Sequence, residues 1–213
     1  MRLSKNSWSL IKIFVSLLSL IPFALLLQDT LQDQLGANPI ETLHFRLGDW
    51  ALRFLCLGLA LTPLKRLLHQ SWPIRFRRML GLFAYFYACL HFLVYIVLDL
   101  SFSWETFIDE VPQSPYILVG LFTFLLLTSL ALTSNKYMQK RLGRRWGQLH
   151  KLVYLAALSA VIHYLWLVKS DLSEPLFYAA VIVLLLGVRL IIFFKTKKAH
   201  VSHPRTPTRK QEN

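Results

Sequence analysis

Residues 79–98 read MLGLFAYFYACLHFLVYIVL, an apolar run with a single histidine, His91, in its interior. At about 1.5 Å per residue this run is long enough to cross a hydrocarbon core of about 30 Å as a helix. Working outward, apolar stretches of similar character lie at roughly 9–27, 47–64, 116–134, 149–168 and 174–194. The six together predict an all-α membrane protein, a six-transmembrane-helix bundle. A hydrophobic fraction of 55% and a mean hydropathy of +0.46 over 213 residues exceed what a soluble domain carries. The connections are too short for a separate soluble domain. The expected organisation is therefore an N-terminus at 1–8, a transmembrane domain at 9–195 and a disordered, basic, proline-containing tail at 196–213.

A net charge of +13 invites a nucleic-acid reading, but its distribution points to a bilayer instead. Arg2 and Lys5, then Lys65, Arg66, Arg75, Arg77 and Arg78, then Lys136, Lys140, Arg141, Arg144 and Arg145, and finally the tail cations, occupy the N-terminus and every second connection. The alternate connections hold Asp29, Asp33, Glu41 and Asp49, then Asp99, Glu105, Asp109 and Glu110, then Asp171 and Glu174, with Arg46 and Lys169 as their basic residues. The positive-inside rule places both termini in the cytoplasm and the acidic loops outside, a parity that six crossings satisfy. The first segment imitates a secretory signal, yet its length and the lack of an A-x-A-like cleavage site favour a retained anchor. Cys56 and Cys89 fall in different spans, match no C-x-x-C or zinc spacing, and read as packing residues.

His91 is one of three histidines that follow a pair of small residues at the same spacing. Ala84 and Ala88 precede His91, Gly143 and Gly147 precede His150, and Ala156 and Ala160 precede His163. Positions three, four and seven apart share a helix face, so each imidazole stands beside a strip nearly free of side chains where a flat cofactor has room to lie. Close helix packing explains such strips as well, but ionisable residues inside a membrane are rare and usually functional. His44, His69, His200 and His203 lack the pattern and fall in predicted loops or the tail.

Under this topology the third and fifth spans run the same way, and His91 and His163 lie about 18–21 Å beyond their cytoplasmic starts at Met79 and Leu149. Two imidazoles level with one another on neighbouring helices meet the needs of six-coordinate haem iron. His150 lies about 20 Å lower than His163 and cannot serve the same iron. The matching low position on the third span holds Arg77 or Arg78, so a second haem would take one histidine or an unusual partner such as His69. His150 also reads as an interfacial histidine among Arg144, Arg145 and Lys151. On a straight helix it is rotated by about 140° from His163, which a bend or tilt must absorb.

Other residues carry less. Arg53 follows Asp49 at ion-pair spacing, and either Arg53 or Arg189 is placed to hold a haem propionate, with snorkelling an equal account of Arg189. Tyr87 and Tyr95 flank His91 by one turn, where they line a cofactor or simply pack. Trp50, Trp104, Tyr116, Trp166 and Tyr178, and at the other boundary Trp8, Trp72, Tyr137 and Trp146, read as aromatic belts.

Iron held by two histidines has no open position, so electron transfer is the role that remains. No dinucleotide fingerprint follows a strand-like run, and electrons must arrive from a membrane quinol or a separate flavoprotein. Two readings compete: a stand-alone ferric or quinone reductase, and a non-redox transporter or assembly protein.

The segment Leu43-His44-Phe45-Arg46-Leu47-Gly48-Asp49-Trp50-Ala51-Leu52-Arg53-Phe54 leading to Leu61-Thr62-Pro63-Leu64-Lys65-Arg66, then Arg77-Arg78-Met79-Leu80-Gly81-Leu82, then Gly143-Arg144-Arg145-Trp146-Gly147-Gln148-Leu149-His150-Lys151-Leu152-Val153-Tyr154, resembles the MsrQ family of haem-binding subunits. That family belongs to the ferric-reductase-like transmembrane group, which also includes NADPH oxidase cores, and the resemblance covers about residues 10 to 195. It implies a multi-pass protein of the bacterial inner membrane. Electrons would pass from the quinone pool or a cytosolic flavin reductase, through haem b, to the periplasmic molybdenum enzyme MsrP, which reduces methionine sulfoxide in oxidised periplasmic proteins. Family ligand positions map onto His91, His150 and His163. FMN is implied as well, with no residue pattern to place it. Two-haem relatives carry paired histidines on both helices, and this chain lacks the fourth.

Overall fold

The computed structural model describes residues 4–202. Helix α1 (Lys5–Leu31) starts at Ser4, whose hydroxyl accepts the Ser7 N–H at 3.1 Å. Helix α2 (Pro39–Leu67) starts at Asn38, whose side chain accepts the Glu41 N–H and donates back to the Glu41 carboxylate at 2.7 Å, with Pro39 in the first helical position. That cap satisfies otherwise orphaned amides and begins the helix well before the expected boundary at 47, because Glu41, His44 and Arg46 make its first turns polar. A 3₁₀ turn (Pro73–Phe76) leads into α3 (Arg77–Val94), which loosens into a π turn at Tyr95–Asp99.

The acidic connection that follows holds a short amphipathic helix, α4 (Trp104–Gln113), capped by the Ser103 hydroxyl, with Val111 buried and Trp104 and Ile108 exposed. Then come α5 (Pro115–Leu132), two short helices α6 (Lys136–Leu142) and α7 (Arg144–Leu149), α8 (Leu152–Leu167) and α9 (Ser173–Ser202). Gly143, at φ +51°, makes the corner between α6 and α7, a conformation that favours glycine. A turn at His150 and Lys151 separates α7 from α8, so His150 and His163 do not share one uninterrupted α-helix.

Six spans, Asn6–Leu31, Pro39–Leu67, Pro73–Asp99, Pro115–Leu132, Arg144–Leu167 and Ser173–Ile192, are long and apolar enough to cross a bilayer. The chain is a six-span, all-α membrane protein among its described residues. Helix α9 continues beyond the expected end of the sixth span, through Ser202, since Lys195, Lys197, Lys198 and Ala199 are good helix formers. The rest of the tail expected to be disordered, residues 203–213, lies outside the described residues, as do residues 1–3 of the N-terminal segment.

Helices α2 and α3 form one antiparallel hairpin and α5 and α8 a second, the two meeting along α3 and α5 and along α2 and α8. Buried Thr123 donates to Ser159 at 2.7 Å and ties the second hairpin together. Helix α9 fills the groove between α2 and α8. Helix α1 lies against the first hairpin, and its contact is specific: the fully buried Tyr87 hydroxyl donates to the Ser19 carbonyl at 2.8 Å and accepts the Phe23 N–H at 3.2 Å. It thereby bridges one rung of the α1 ladder beside Pro22, where the ring and its missing N–H disturb the helix. Outward faces are apolar, as lipid requires: Ile13, Phe14 and Leu17 on α1, Leu155 and Ile162 on α8, and Val183 and Leu184 on α9 are all exposed.

Candidate functional site

The two hairpins enclose a cavity of about 760 Å³ between α2, α3, α5 and α8, with α4 closing one side through Phe107. That volume is in the range of cofactor sites, about 300–1,000 Å³. One end is apolar, lined by Leu52, Leu55, Phe124 and Leu127; the other carries His44, Tyr95, Asp99 and Tyr116. The small residues Ala88 and Ala160 line it, so part of the strips read from the sequence does face an open space. Ala84 and Ala156, one turn deeper, are fully buried in packing.

His91 and His163 face one another across this space with ring centres 6.1 Å apart and planes at 84°. Each ring is fixed from behind. His91 donates Nδ1–H to the His44 carbonyl at 3.0 Å, and His163 donates Nδ1–H to the Tyr116 carbonyl at 2.7 Å. A carbonyl only accepts, so the proton sits on Nδ1 and the neutral ring carries its lone pair on Nε2. Each imidazole also lies close against a glycine of the helix paired with its own. A Cβ on Gly48 would stand 3.3 Å from His91 Nδ1, and one on Gly120 would stand 2.8 Å from His163 Cε1.

This donor set fits a metal held by two imidazoles. At about 2.0–2.1 Å per metal–nitrogen bond, such a pair holds its ring centres about 6 Å apart, and the hydrogen bond on the other ring nitrogen fixes tautomer and orientation. Among the described residues no group of three or more His, Cys, Asp or Glu gathers as a metal site. Three histidines, His44, His91 and His163, line the cavity.

His150 is elsewhere. It ends α7, stacks on Trp146 of its own helix at 4.0 Å between ring centres, and donates Nδ1–H to the Trp146 carbonyl at 3.2 Å. His44, read from the sequence as a loop residue without the pattern, is instead on α2 and lines the cavity. Its ring meets that of His91 edge-on at 5.1 Å between centres, and its Nε2 pairs with Asp99. A signal for it existed, since His44 precedes Gly48 by one helical turn and shares its face. Of the two tyrosines beside His91, Tyr95 lines the cavity and Tyr87 packs away from it against α1.

Neither arginine reaches the cavity wall. Arg53 pairs with Asp49 at 3.3 Å, as its spacing predicts, and donates to the Tyr178 hydroxyl at 2.8 Å. Arg189 is only 9% exposed; it turns into the bundle and donates to the Tyr154 hydroxyl at 2.8 Å and the Leu59 carbonyl at 2.6 Å. At the acidic end beyond the spans, the Ser173 N–H donates to Asp171, which holds that carboxyl below the usual aspartate range.

The family described as "Ferric reductase like transmembrane component" matches residues 47–161. A protein of Herminiimonas arsenicoxydans is 47% identical over 185 residues, covering 85% of this chain and 85% of its own. A protein of Xanthomonas euvesicatoria pv. vesicatoria (strain 85-10) is 46% identical over 196 residues, covering 88% of this chain and 90% of its own. One of Xanthomonas oryzae pv. oryzae (strain MAFF 311018) is 46% identical over 195 residues, covering 88% and 89%. All three are named protein-methionine-sulfoxide reductase heme-binding subunit MsrQ.

The chain belongs to the MsrQ family.

MsrQ membership places it in the ferric-reductase-like transmembrane group, and the matched region spans both histidine-bearing hairpins up to Val161, two residues short of His163. The cavity lies between these two hairpins.

Proposed function

We propose that this chain is a haem b electron-transfer subunit, with His91 and His163 as axial ligands of one iron, that passes electrons to a periplasmic methionine-sulfoxide reductase of the MsrP kind. One observation carries the reading: two imidazoles, each anchored through Nδ1 to a backbone carbonyl, line one cavity with their ring centres 6.1 Å apart. When bound there, haem supplies reversible one-electron redox chemistry without an open iron position. The chain's own residues hold the rings in one tautomer, exclude water with Leu52, Leu55, Phe124 and Leu127, and keep the site close to the acidic end of the bundle.

In this reading that end faces the periplasm and both termini lie in the cytoplasm of an inner membrane, an orientation that the alternation of basic and acidic connections supports. Electrons then enter from the quinone pool or from a cytosolic flavin reductase at the basic end. His150 is the imidazole available to a second haem at that end, which would take this one histidine or an unusual partner such as His69. FMN enters this reading through the family resemblance.

The experiment is a reduced-minus-oxidised spectrum of the purified chain with haem counted per protein, for the natural protein and for His91→Ala, His163→Ala and His150→Ala. Loss of the same haem signal in the first two variants and its persistence in the third supports the assignment. A signal that survives both His91→Ala and His163→Ala refutes it.

A further inference from the structure

The two histidines are flanked alike except in chemistry. Gly48 and Gly120, the glycines against the rings, are followed by Asp49 and by Leu121, and His91 and His163 are followed by Phe92 and by Tyr164. All four of these neighbours line the cavity. Where α3 meets α5 the pair is Phe92 and Leu121; where α2 meets α8 it is Tyr164 and Asp49. Apolar side chains thus suffice to fill these places in one seam, while the other carries a carboxylate and a phenol that bear on each other.

A buried carboxylate is costly unless it is well paired. The Asp49 side chain is only 14% exposed, and its pairing is incomplete: Arg53 makes one contact at 3.3 Å and also donates to the Tyr178 hydroxyl at 2.8 Å. The Tyr164 hydroxyl donates to Glu174 at 3.0 Å, so it offers Asp49 its oxygen rather than its proton. Two carboxylates therefore share one guanidinium and one phenol proton, a group that readily binds one proton more. Glu174 is exposed, so the order Glu174, Tyr164, Asp49 leads from solvent to the cavity wall. The other titratable groups around this space are the two histidines and, toward the mouth, Glu41, His44, Tyr95, Asp99, Glu110 and Tyr116.

An electron added between low-dielectric walls draws a proton to a carboxylate beside it. Resting on the haem reading above, we propose that Asp49 is the proton acceptor of the redox site, taking up one proton through Glu174 and Tyr164 when one electron enters the cavity and releasing it when the electron leaves. The electron is the one that reading already supplies, and the proton comes from water at the acidic end. Glu174 delivers it to the Tyr164 hydroxyl, whose own proton turns to Asp49, so one negative and one positive charge arrive together.

The test is a redox titration of the purified, haem-loaded full-length chain over a series of pH values, with haem counted per protein, for the natural chain, Asp49→Asn, Asp49→Leu and Tyr164→Phe. Protonated Asp49 favours reduction, so the natural potential should fall as pH rises, by tenfold in the reduction equilibrium per pH unit, about 59 mV for one electron, while Asp49 titrates. Asp49→Asn should hold the low-pH potential at every pH, and Asp49→Leu, which copies the other seam, should be equally flat. Tyr164→Phe should keep the slope but slow proton uptake from the medium after rapid reduction, read with a pH dye. Infrared difference spectra of the natural chain should gain a protonated-carboxyl band on reduction. A natural potential independent of pH, a missing carboxyl band, or a slope that survives in either Asp49 variant overturns the proposal, and an unchanged uptake rate in Tyr164→Phe overturns the route. Each of these leaves the two-histidine site standing, whereas a natural chain that carries no haem overturns the haem reading itself.

Discussion

His163 repeats His91. Each donates its Nδ1 proton to a backbone carbonyl 47 positions upstream, that of Tyr116 in one case and His44 in the other. The shift that carries His91 onto His163 also carries Gly48 onto Gly120, Ala84 onto Ala156, Ala88 onto Ala160 and Leu55 onto Leu127. It maps the cavity wall onto itself as well, Ala51 onto Thr123, Leu52 onto Phe124 and Phe92 onto Tyr164. The α2–α3 and α5–α8 hairpins are two copies of one unit facing across the site. The same shift carries Arg78 onto His150, so the basic end has one imidazole where the cavity has two.

The glycine seats should respond unequally to a methyl group. At Gly120 an added Cβ meets the His163 ring at 2.8 Å, a distance that forces movement, while at Gly48 the closest ring atom is 3.3 Å away. Gly120→Ala is expected to displace His163 and cut haem retention by roughly tenfold or more, the penalty of overpacking a rigid site being about 1–3 kcal/mol. Gly48→Ala should retain haem with a perturbed spectrum. Haem-to-protein ratios measured side by side check this, and equal retention in both variants contradicts it.

The internal repeat shows why the sequence yields its spans readily and the site only in part. Long apolar runs and the alternation of basic and acidic connections are local signals, and the six spans follow from them. The alanine strips also survive in the sequence, because α3 and α8 carry them at identical spacing. Helices α2 and α5 share little beyond Gly48 with Gly120 and Leu55 with Leu127, so the repeat is hidden there. The groups that accept the histidine protons are backbone carbonyls, which leave no residue-type signature. His44 is obscured because the polar first turns of α2 look like loop, and α4 because it is short and interrupted by Pro112.

The Tyr87 bridge makes a claim about stability that is separable from haem. Tyr87→Phe keeps the ring but strands the Phe23 N–H and the Ser19 carbonyl in an apolar setting next to Pro22. The expected loss is about 1–3 kcal/mol. It should appear as a lower thermal midpoint in detergent with an unchanged haem spectrum, since Tyr87 points away from the cavity. A spectral change without a stability change would show that α1 is not held in this way.

A double-mutant cycle on Thr123 and Ser159 tests how firmly the second hairpin is tied. The two hydroxyls are buried and 2.7 Å apart, and each has a carbonyl of its own helix within reach of its single proton, Val119 for Thr123 and Leu155 for Ser159. When the partner is removed the remaining hydroxyl can donate to that carbonyl, so neither group is left unsatisfied and the coupling should be small, about 0.6 kcal/mol as for other hydrogen bonds between membrane helices. Because Thr123 lines the cavity opposite Ala51 of the other copy, Thr123→Ala makes that pair alike. Haem binding should therefore tolerate Thr123→Ala, and the combined variant should lose little more stability than the sum of the single ones. A coupling above about 2 kcal/mol would mean that the hydroxyl pair, rather than packing along α5 and α8, holds His163 in position.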